Sequence, residues 1–475
     1  MPEHSIPTVP EQPLLATFLK ELHGLRTACQ QDRPFQRLCG LALGASVNYG
    51  RQTLTQQLAT LGVDDDWSAF YRLFSTPRFD YDAVAHQLCT TALALVPETG
   101  PCVAAIDGTQ IPRHSRTMPG TSYLYNPQSP PFKRGIHRAQ RSTHLALLTP
   151  QTSVGYSRAI PLRFDPAIPA KGVRPAGMAA AKEWEVGLAQ LHWLRAELDQ
   201  AGRSDQCLLG LADSTWQHAD VWAGLPERTT LLSGCRANRK LFALPAAPSG
   251  QPGRPPLYGV RAPRPDAWLK SQRGWKRQRL LVRGREIPVR YRVAGPYLVE
   301  GAPAQPLFLI IVRGSSPGRG KKARRARYWL VNAVAQNGQW TLPYSVQTLL
   351  SWAWQRWEIE VTHRELKSGF GVGQSQCWSG VSALLAVQWQ VAVYSLLVLA
   401  GYRCWGLAPG PARPPGTWWR GSGRWSLDQL RQAFRREVGR MAEFRPVWSG
   451  TTHNWWKMAD WLTLQSNASQ AAGRL

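Results

Sequence analysis

Two short apolar runs, each ending in an aspartate, constrain this chain more than any other feature. CVAAIDGTQI (Cys102–Ile111) and CLLGLADSTW (Cys207–Trp216) have the length of a strand and lack the period of an amphipathic helix. Between them, HLALLT and YSRAIPLRF read as two further strands, and Met178 to Ala201 as a long amphipathic helix. A basic, turn-rich stretch, Pro130 to Arg141, precedes those strands. Val221 to Leu225 is a short helical piece, and TTLLSGCR closes another strand. Strands, a helix, then strands describe an α/β sheet. Two of its inner strands deliver a carboxylate, Asp107 and Asp213, at the end where open α/β sheets bind ligands.

A third carboxylate stands in SWAWQRWEIEVTHRELK (Ser351–Lys367). Read as a helix, Arg356, Glu360, His363 and Lys367 share one face, while Leu350, Trp354, Trp357 and Val361 form an apolar stripe beside it. A lone acid among three basic groups at the edge of a core needs a partner. One reading is a solvated face with an Arg–Glu pair at i,i+4, which stabilises a helix only slightly. The other is a functional site.

Charge bears on that choice. The 475 residues carry 57 Lys and Arg against 30 Asp and Glu, a formal +27 with a pI near 10.4. A chain held so far from neutrality repels itself and calls for a polyanionic partner, nucleic acid first and a membrane surface second. Eight cysteines are scattered without a CxxC pair, which fits neither a zinc framework nor a secreted disulfide scaffold. The Pro-rich start, MPEHSIPTVPEQP, lacks a signal peptide's apolar core, so a cytoplasmic setting is expected. Val381 to Ala400 is uncharged and long enough to span a bilayer, but Gln388, Gln390 and Ser395 interrupt it. It is read as a buried helix, with no membrane partner.

The organisation expected is a helical N-terminal DNA-binding region (1–97), the first part of an α/β core (98–238), a basic β-rich insertion (239–345), a second core part with the acidic helix (346–404), and a helical tail (405–475). Within the first region, YGRQTLTQQLATLG followed by DDDWSAFYRLF fits a helix-turn-helix reader in which Arg51 meets DNA; an ordinary helical bundle is the alternative. In the insertion, Lys270 to Arg327 holds 16 Lys or Arg against Glu286 and Glu300, so 16 − 2 = +14 of the total charge. RGKKARRAR, with Lys321, Lys322, Arg324 and Arg325, is its densest run, and strands alternating Arg with Val and Leu would present one basic face to a phosphate backbone. Arg236, at the end of TTLLSGCR, is a further candidate DNA contact.

Three acids in one pocket repel one another unless cations neutralise them, and hard divalent ions with oxygen ligands, Mg²⁺ or Mn²⁺, do so while also taking phosphate oxygens. Two such ions can activate a water or a 3′-hydroxyl and stabilise the leaving oxygen of a phosphodiester. Arg356 and Lys367 would then hold the DNA strand, with His363 and Arg364 as flanking candidates.

The order Asp107, Asp213, Glu360, the Asp-Gly-Thr of Asp107 to Thr109, and the spacing of Arg356, Glu360 and Lys367 resemble the DDE transposases of bacterial insertion sequences, the subgroup with a Tyr-Arg-Glu-Lys signature. The resemblance runs from about Gly50 to Ala400. It implies a ribonuclease-H-like core in which Asp107, Asp213 and Glu360 coordinate two Mg²⁺. It further implies cleavage at transposon ends and strand transfer into target double-stranded DNA, by a homodimer bridging two terminal inverted repeats in the bacterial nucleoid. The family's Tyr, three residues before the Arg, falls on Ala353 here, and Trp268, Trp275 or Trp329 are candidates to stack on a displaced base. A nuclease that cuts without joining, and a DNA-binding derivative that no longer cuts, are the alternatives.

Overall fold

An eleven-stranded mixed sheet incorporates both apolar runs. The computed structural model describes residues 13–63, 66–127, 129–130, 132–246, 254–314, 325–378, 380–408 and 424–439. Five helices come first: α1 (Pro13–Gly24), α2 (Asp32–Val47), α3 (Leu54–Thr60), α4 (Trp67–Ser75) and α5 (Tyr81–Leu93). Strands β1 (Cys102–Pro112), β2 (Thr121–Tyr125), β3 (Ile136–Leu148) and β4 (Ala159–Pro166) lead to α6 (Glu183–Gln200), β5 (Leu208–Ala212), α7 (Ala219–Ala223) and β6 (Thr229–Gly234). A β-rich part follows, with β7 (Phe242–Ala243), β8 (Lys276–Val282), β9 (Arg285–Val299), β10 (Ala302–Val312) and β11 (Arg327–Asn332). The last helices are α8 (Val346–Gln355), α9 (Trp357–Arg364), α10 (Ser382–Trp405) and α11 (Leu427–Gly439).

The strand order is β2-β3-β1-β5-β6-β11-β10-β9-β7, with β4 on β3 and β8 on β9. The centre, β1-β5-β6, is parallel and buried on both faces, which is why these strands read as unbroken apolar runs. β11 joins β6 antiparallel, so the strands of the β-rich part continue the same sheet. In the hairpin β8–β9, Leu280, Val282 and Val289 are buried while Arg277, Arg279 and Arg290 are exposed, with Arg277 directly opposite Arg290.

Two local readings need correction. The turn-rich stretch from Pro130 becomes strand at Ile136, because β3 pairs with β2 from Tyr125↔Ile136 onward and that ladder satisfies its backbone. The helix expected from Met178 begins at Glu183, where the Glu185 carboxylate accepts the Lys182 N–H at 2.6 Å and fixes the first turn.

Helix α10 meets the length and composition of a membrane span, yet 94% of its most apolar window is buried inside the protein. It packs between β4 and the helices α1, α2 and α5, so the N-terminal helices and the sheet share one continuous core. Leu396, Leu397 and Leu399 are 1% exposed or less, and truncating one such Leu to Ala costs about 2–5 kcal/mol. Helices α3 and α4 flank Gly62, at φ 68°, and both pack on α2. All eight cysteines are free, six of them buried.

Candidate active site

Register brings the two aspartates side by side. β1 and β5 pair in parallel through Ala105↔Leu211, and two residues further along stand Asp107, still within β1, and Asp213, the first residue past β5; adjacent strands lie about 4.8 Å apart. Side chains alternate across a strand, so Asp107 lies on the face of Val103 and Ala105. Those residues share a core cluster with Leu349, Leu350 and Ile359 of α8 and α9, and that packing lays α9 over the two aspartates. Glu360, next to buried Ile359, reaches the site from this helix.

Arg356 lies at the junction of α8 and α9, its own backbone still helical, and donates to both Glu360 and Asp107, the latter at 3.4 Å. The i,i+4 Arg–Glu pair therefore exists, but it is half-buried and shared with Asp107 instead of standing on a solvated face. Desolvation pushes the Asp107 carboxyl up to about 7; Arg356 opposes this, and the Asp213 and Glu360 carboxylates reinforce it. Small hydrogen bonds orient the aspartates. The Gly108 N–H donates to Asp107 at 2.9 Å, and Thr215 donates to Asp213 through its N–H at 2.7 Å and its hydroxyl at 3.1 Å. Partial burial holds the Lys367 ammonium below its ordinary value, and the Asp107 carboxylate pulls it the other way.

A fourth carboxylate, which the sequence reading missed, approaches from the opposite face. Glu183 opens α6, pairs with Arg141 of β3 at 3.3 Å, and lies so close to Gly108 that a Cβ built there would overlap its carboxyl. Burial raises the Glu183 carboxyl above its usual range; Arg141 lowers it and Asp213 raises it further. Gly187 admits α6 closely enough for this, since a side chain there would collide with Trp216. A Glu in a first helical turn looks like ordinary dipole complementation, so only the Gly after Asp107 could have signalled it.

His363 corrects another expectation. Its ring packs 5.0 Å from that of His144, the register partner of Asp107, and its Nε2 is buried without a hydrogen-bond partner. Burial, with His144, Lys367 and Arg356 adding to it, holds His363 well below its ordinary value, and its ring turns towards His144. Trp357, expected in the apolar stripe, is 52% exposed, because it faces a cleft and not the core. That cleft, about 520 Å³, is lined by Asp213, Arg283, Tyr328, Trp329, Trp354 and Arg356, and Ala353 forms part of its wall. Trp329 packs against Trp354 at 5.8 Å, whereas Trp268 and Trp275 are covered by Arg292 and Arg313. Arg364, Arg51, Arg236 and Arg325 are exposed on separate parts of the chain; Lys321, Lys322 and Arg324 lie outside the described residues, as does TTHNWWKMADWL of the tail.

Buried ion pairs hold α9 from behind. Glu358, 1% exposed, accepts from Arg283 at 2.7 Å and from Arg424 at 2.5 Å. Glu365, just past α9, accepts from Arg158 at 2.5 Å and from the Tyr394 hydroxyl of α10 at 2.6 Å.

Among the described residues no group of three or more His, Cys, Asp or Glu side chains is gathered closely enough to hold a metal ion. The donor set still fits a hard divalent cation: Asp107, Asp213 and Glu360 offer oxygen ligands, the latter two disfavour the ionised form of Asp107, and Arg356 already lies between Asp107 and Glu360 as a positive bridge.

No curated protein compared with the chain matches it. A solved structure of a piggyBac transposase synaptic complex with hairpin DNA resembles it at 12% identity and a TM-score of 0.41, covering 97% of this chain and 85% of that one. The family model described as DDE superfamily endonuclease matches residues 30–295, a span that includes Asp107, Asp213 and Glu183 and ends before α9. That match extends over more than half of the protein, and the chain belongs to the DDE superfamily of endonucleases.

Proposed function

We propose that this endonuclease is a DNA transposase that cuts the ends of a mobile DNA and joins them to a target, acting as a dimer across two ends. The observation that carries the reading is the approach of Asp107 in β1, Asp213 just past β5 and Glu360 on the docked α9, within a chain of net charge +27. Endonucleases of this superfamily generally use divalent metal ions. Here Asp107, Asp213 and Glu360 would hold Mg²⁺ or Mn²⁺, which when bound supplies Lewis-acid activation of the attacking oxygen and charge stabilisation of the leaving one.

The chain's own residues do the rest. Thr215 and the Gly108 N–H fix the rotamers of the two aspartates before substrate arrives, so less ordering is left for the reaction itself. Arg356 compensates Asp107 and Glu360 in the free protein, and its planar guanidinium can instead clamp a phosphate once those carboxylates have another counter-charge. Lys367 adds a second cation beside Asp107. The exposed arginines of β8–β9 offer a track for the DNA backbone. The Tyr-Arg-Glu-Lys subgroup remains part of the proposal, with Ala353 replacing its Tyr and opening the wall of the aromatic cleft.

The test is Mg²⁺-dependent nicking of DNA carrying the element's own ends, followed by joining to a plasmid. Asp107→Ala, Asp213→Ala and Glu360→Gln should each abolish both steps while leaving DNA binding intact. Normal nicking by any of the three would sink the assignment. Nicking without joining would make the protein a nuclease of the same fold, and binding without cleavage in any divalent metal would make it a DNA-binding derivative.

A further inference from the structure

The hairpin β2–β3 carries features that neither packing nor the acidic site uses. Tyr123 and Tyr125 are 63% and 64% exposed, Ile136 is 65% exposed, and Phe132 near the turn is 90% exposed. Tyr123 pairs with Arg138 and Tyr125 with Ile136 across the strands, so these side chains share one face. Arg138 lies 5.3 Å from the Tyr123 ring centroid and Arg134 lies 5.9 Å from that of Tyr125. From Arg113 to Arg141 the chain has six Lys or Arg, two His, and no Asp or Glu. A ribbon that interleaves exposed rings with cations, free of acids, matches a strand that offers both phosphates and base faces.

Its placement relative to the site is set by register. His144 of β3 stands opposite Asp107, and Ile136 lies 144 − 136 = 8 residues towards the turn. At about 3.3 Å per residue the ribbon reaches roughly 26 Å beyond the aspartate, close to eight base pairs of duplex at about 3.4 Å each. β1 runs beside it as far as Pro112↔Ala139, which stiffens most of that reach.

We infer that the β2–β3 ribbon is a DNA-gripping arm that holds the strand leaving the acidic site, with Lys133 and Arg134 on phosphates and Phe132, Tyr123 and Tyr125 against bases. This rests on the DNA-cleavage reading above. The DNA has two possible sources, the element's end or the target, and the shared chemistry is a strand with accessible bases.

The experiment uses the full chain with p-benzoylphenylalanine in place of Phe132, irradiated with the element's end duplex, with unrelated duplex, or with a duplex carrying a short gap. A crosslink to DNA is expected, strongest on the gapped probe, and comparison of the two intact duplexes tells which source the arm holds. Binding titrations should show Lys133→Ala with Arg134→Ala lowering the slope of log K against log salt by about 2, and Phe132→Ala weakening the gapped probe roughly five-fold or more. Crosslinks only between protein copies, with unchanged salt slopes in a wild type that still binds and nicks DNA, would overturn the arm and leave the endonuclease reading standing. A wild type that neither binds nor nicks any probe would overturn both.

Discussion

Glu358 offers the most direct test of how α9 is held. Its carboxylate is 1% exposed and has two cationic partners: Arg424, 10% exposed at 2.5 Å, and Arg283, 39% exposed at 2.7 Å. The Arg283 pair is partly screened by solvent and contributes little, so most of the effect rests on Arg424. Glu358→Leu removes the main counter-charge of that guanidinium, which keeps the Ser157 carbonyl at 2.6 Å and the charge of Glu365, and breaking such a pair from one side costs about 3 kcal/mol. Unfolding entropy of about 2.1 cal/mol/K per residue gives roughly 1 kcal/mol/K for a cooperative chain of this size, so the melting temperature should fall by about 3 °C. Adding Arg424→Leu removes the buried cation together with its Glu358 partner, and the double variant should recover to within about 1–2 °C of wild type. Differential scanning calorimetry at fixed pH measures both. A single variant that melts within 1 °C of wild type, or a double variant whose losses simply add, would refute the reasoning. Because Glu358 lies two residues from Glu360, the single variant should also nick DNA more slowly, and the double should not fully recover that rate.

Other expectations concern the site and the surface. Gly108→Ala should displace the Glu183 carboxyl and break its pair with Arg141, a loss of about 1 kcal/mol or less, while slowing nicking as much as Glu183→Gln does; wild-type nicking by Gly108→Ala would remove Glu183 from the site. Burial pulls His144 down to about 3, below its unfolded value near 6.5, so folding is most stable above pH 6.5 and weakens as pH falls towards 3. Between pH 7 and 5 this residue alone should cost about 2 kcal/mol, and thermal melts of His144→Leu should show a pH dependence smaller by that amount. Arg277→Ala and Arg290→Ala, opposite each other on β8–β9, should each reduce the salt slope of DNA binding by about 1 without altering melting temperature.

The strands carrying Asp107 and Asp213 were legible because buried parallel strands need unbroken apolar runs and an ionisable terminus stands out against them. Glu360 and Arg356 were legible as one helical face because a four-residue spacing leaves little choice. What could not be read was non-local. The register that levels Asp107 with Asp213 depends on how β1 meets β5. The second contact of Arg356, to Asp107, depends on where α9 docks. His363 was misjudged for the same reason: on the helix alone it shares a face with Glu360, and only β3, bringing His144 beneath it, turns it inward. Trp357 failed in the opposite sense, since the apolar stripe continues past the edge of the surface it covers.

The acids sit at positions 107, 213 and 360, each on an element that becomes useful only when the next has docked. Domains assemble from the N-terminus during synthesis, so an emerging chain acquires the aspartates, the sheet edge and the basic β8–β9 hairpin well before α9 arrives. Under the DNA-cleavage reading proposed above, it would until then present a basic surface without the third acid. Fragments ending before residue 360 would lack both Glu360 and the core helix α10, and should therefore not cut DNA.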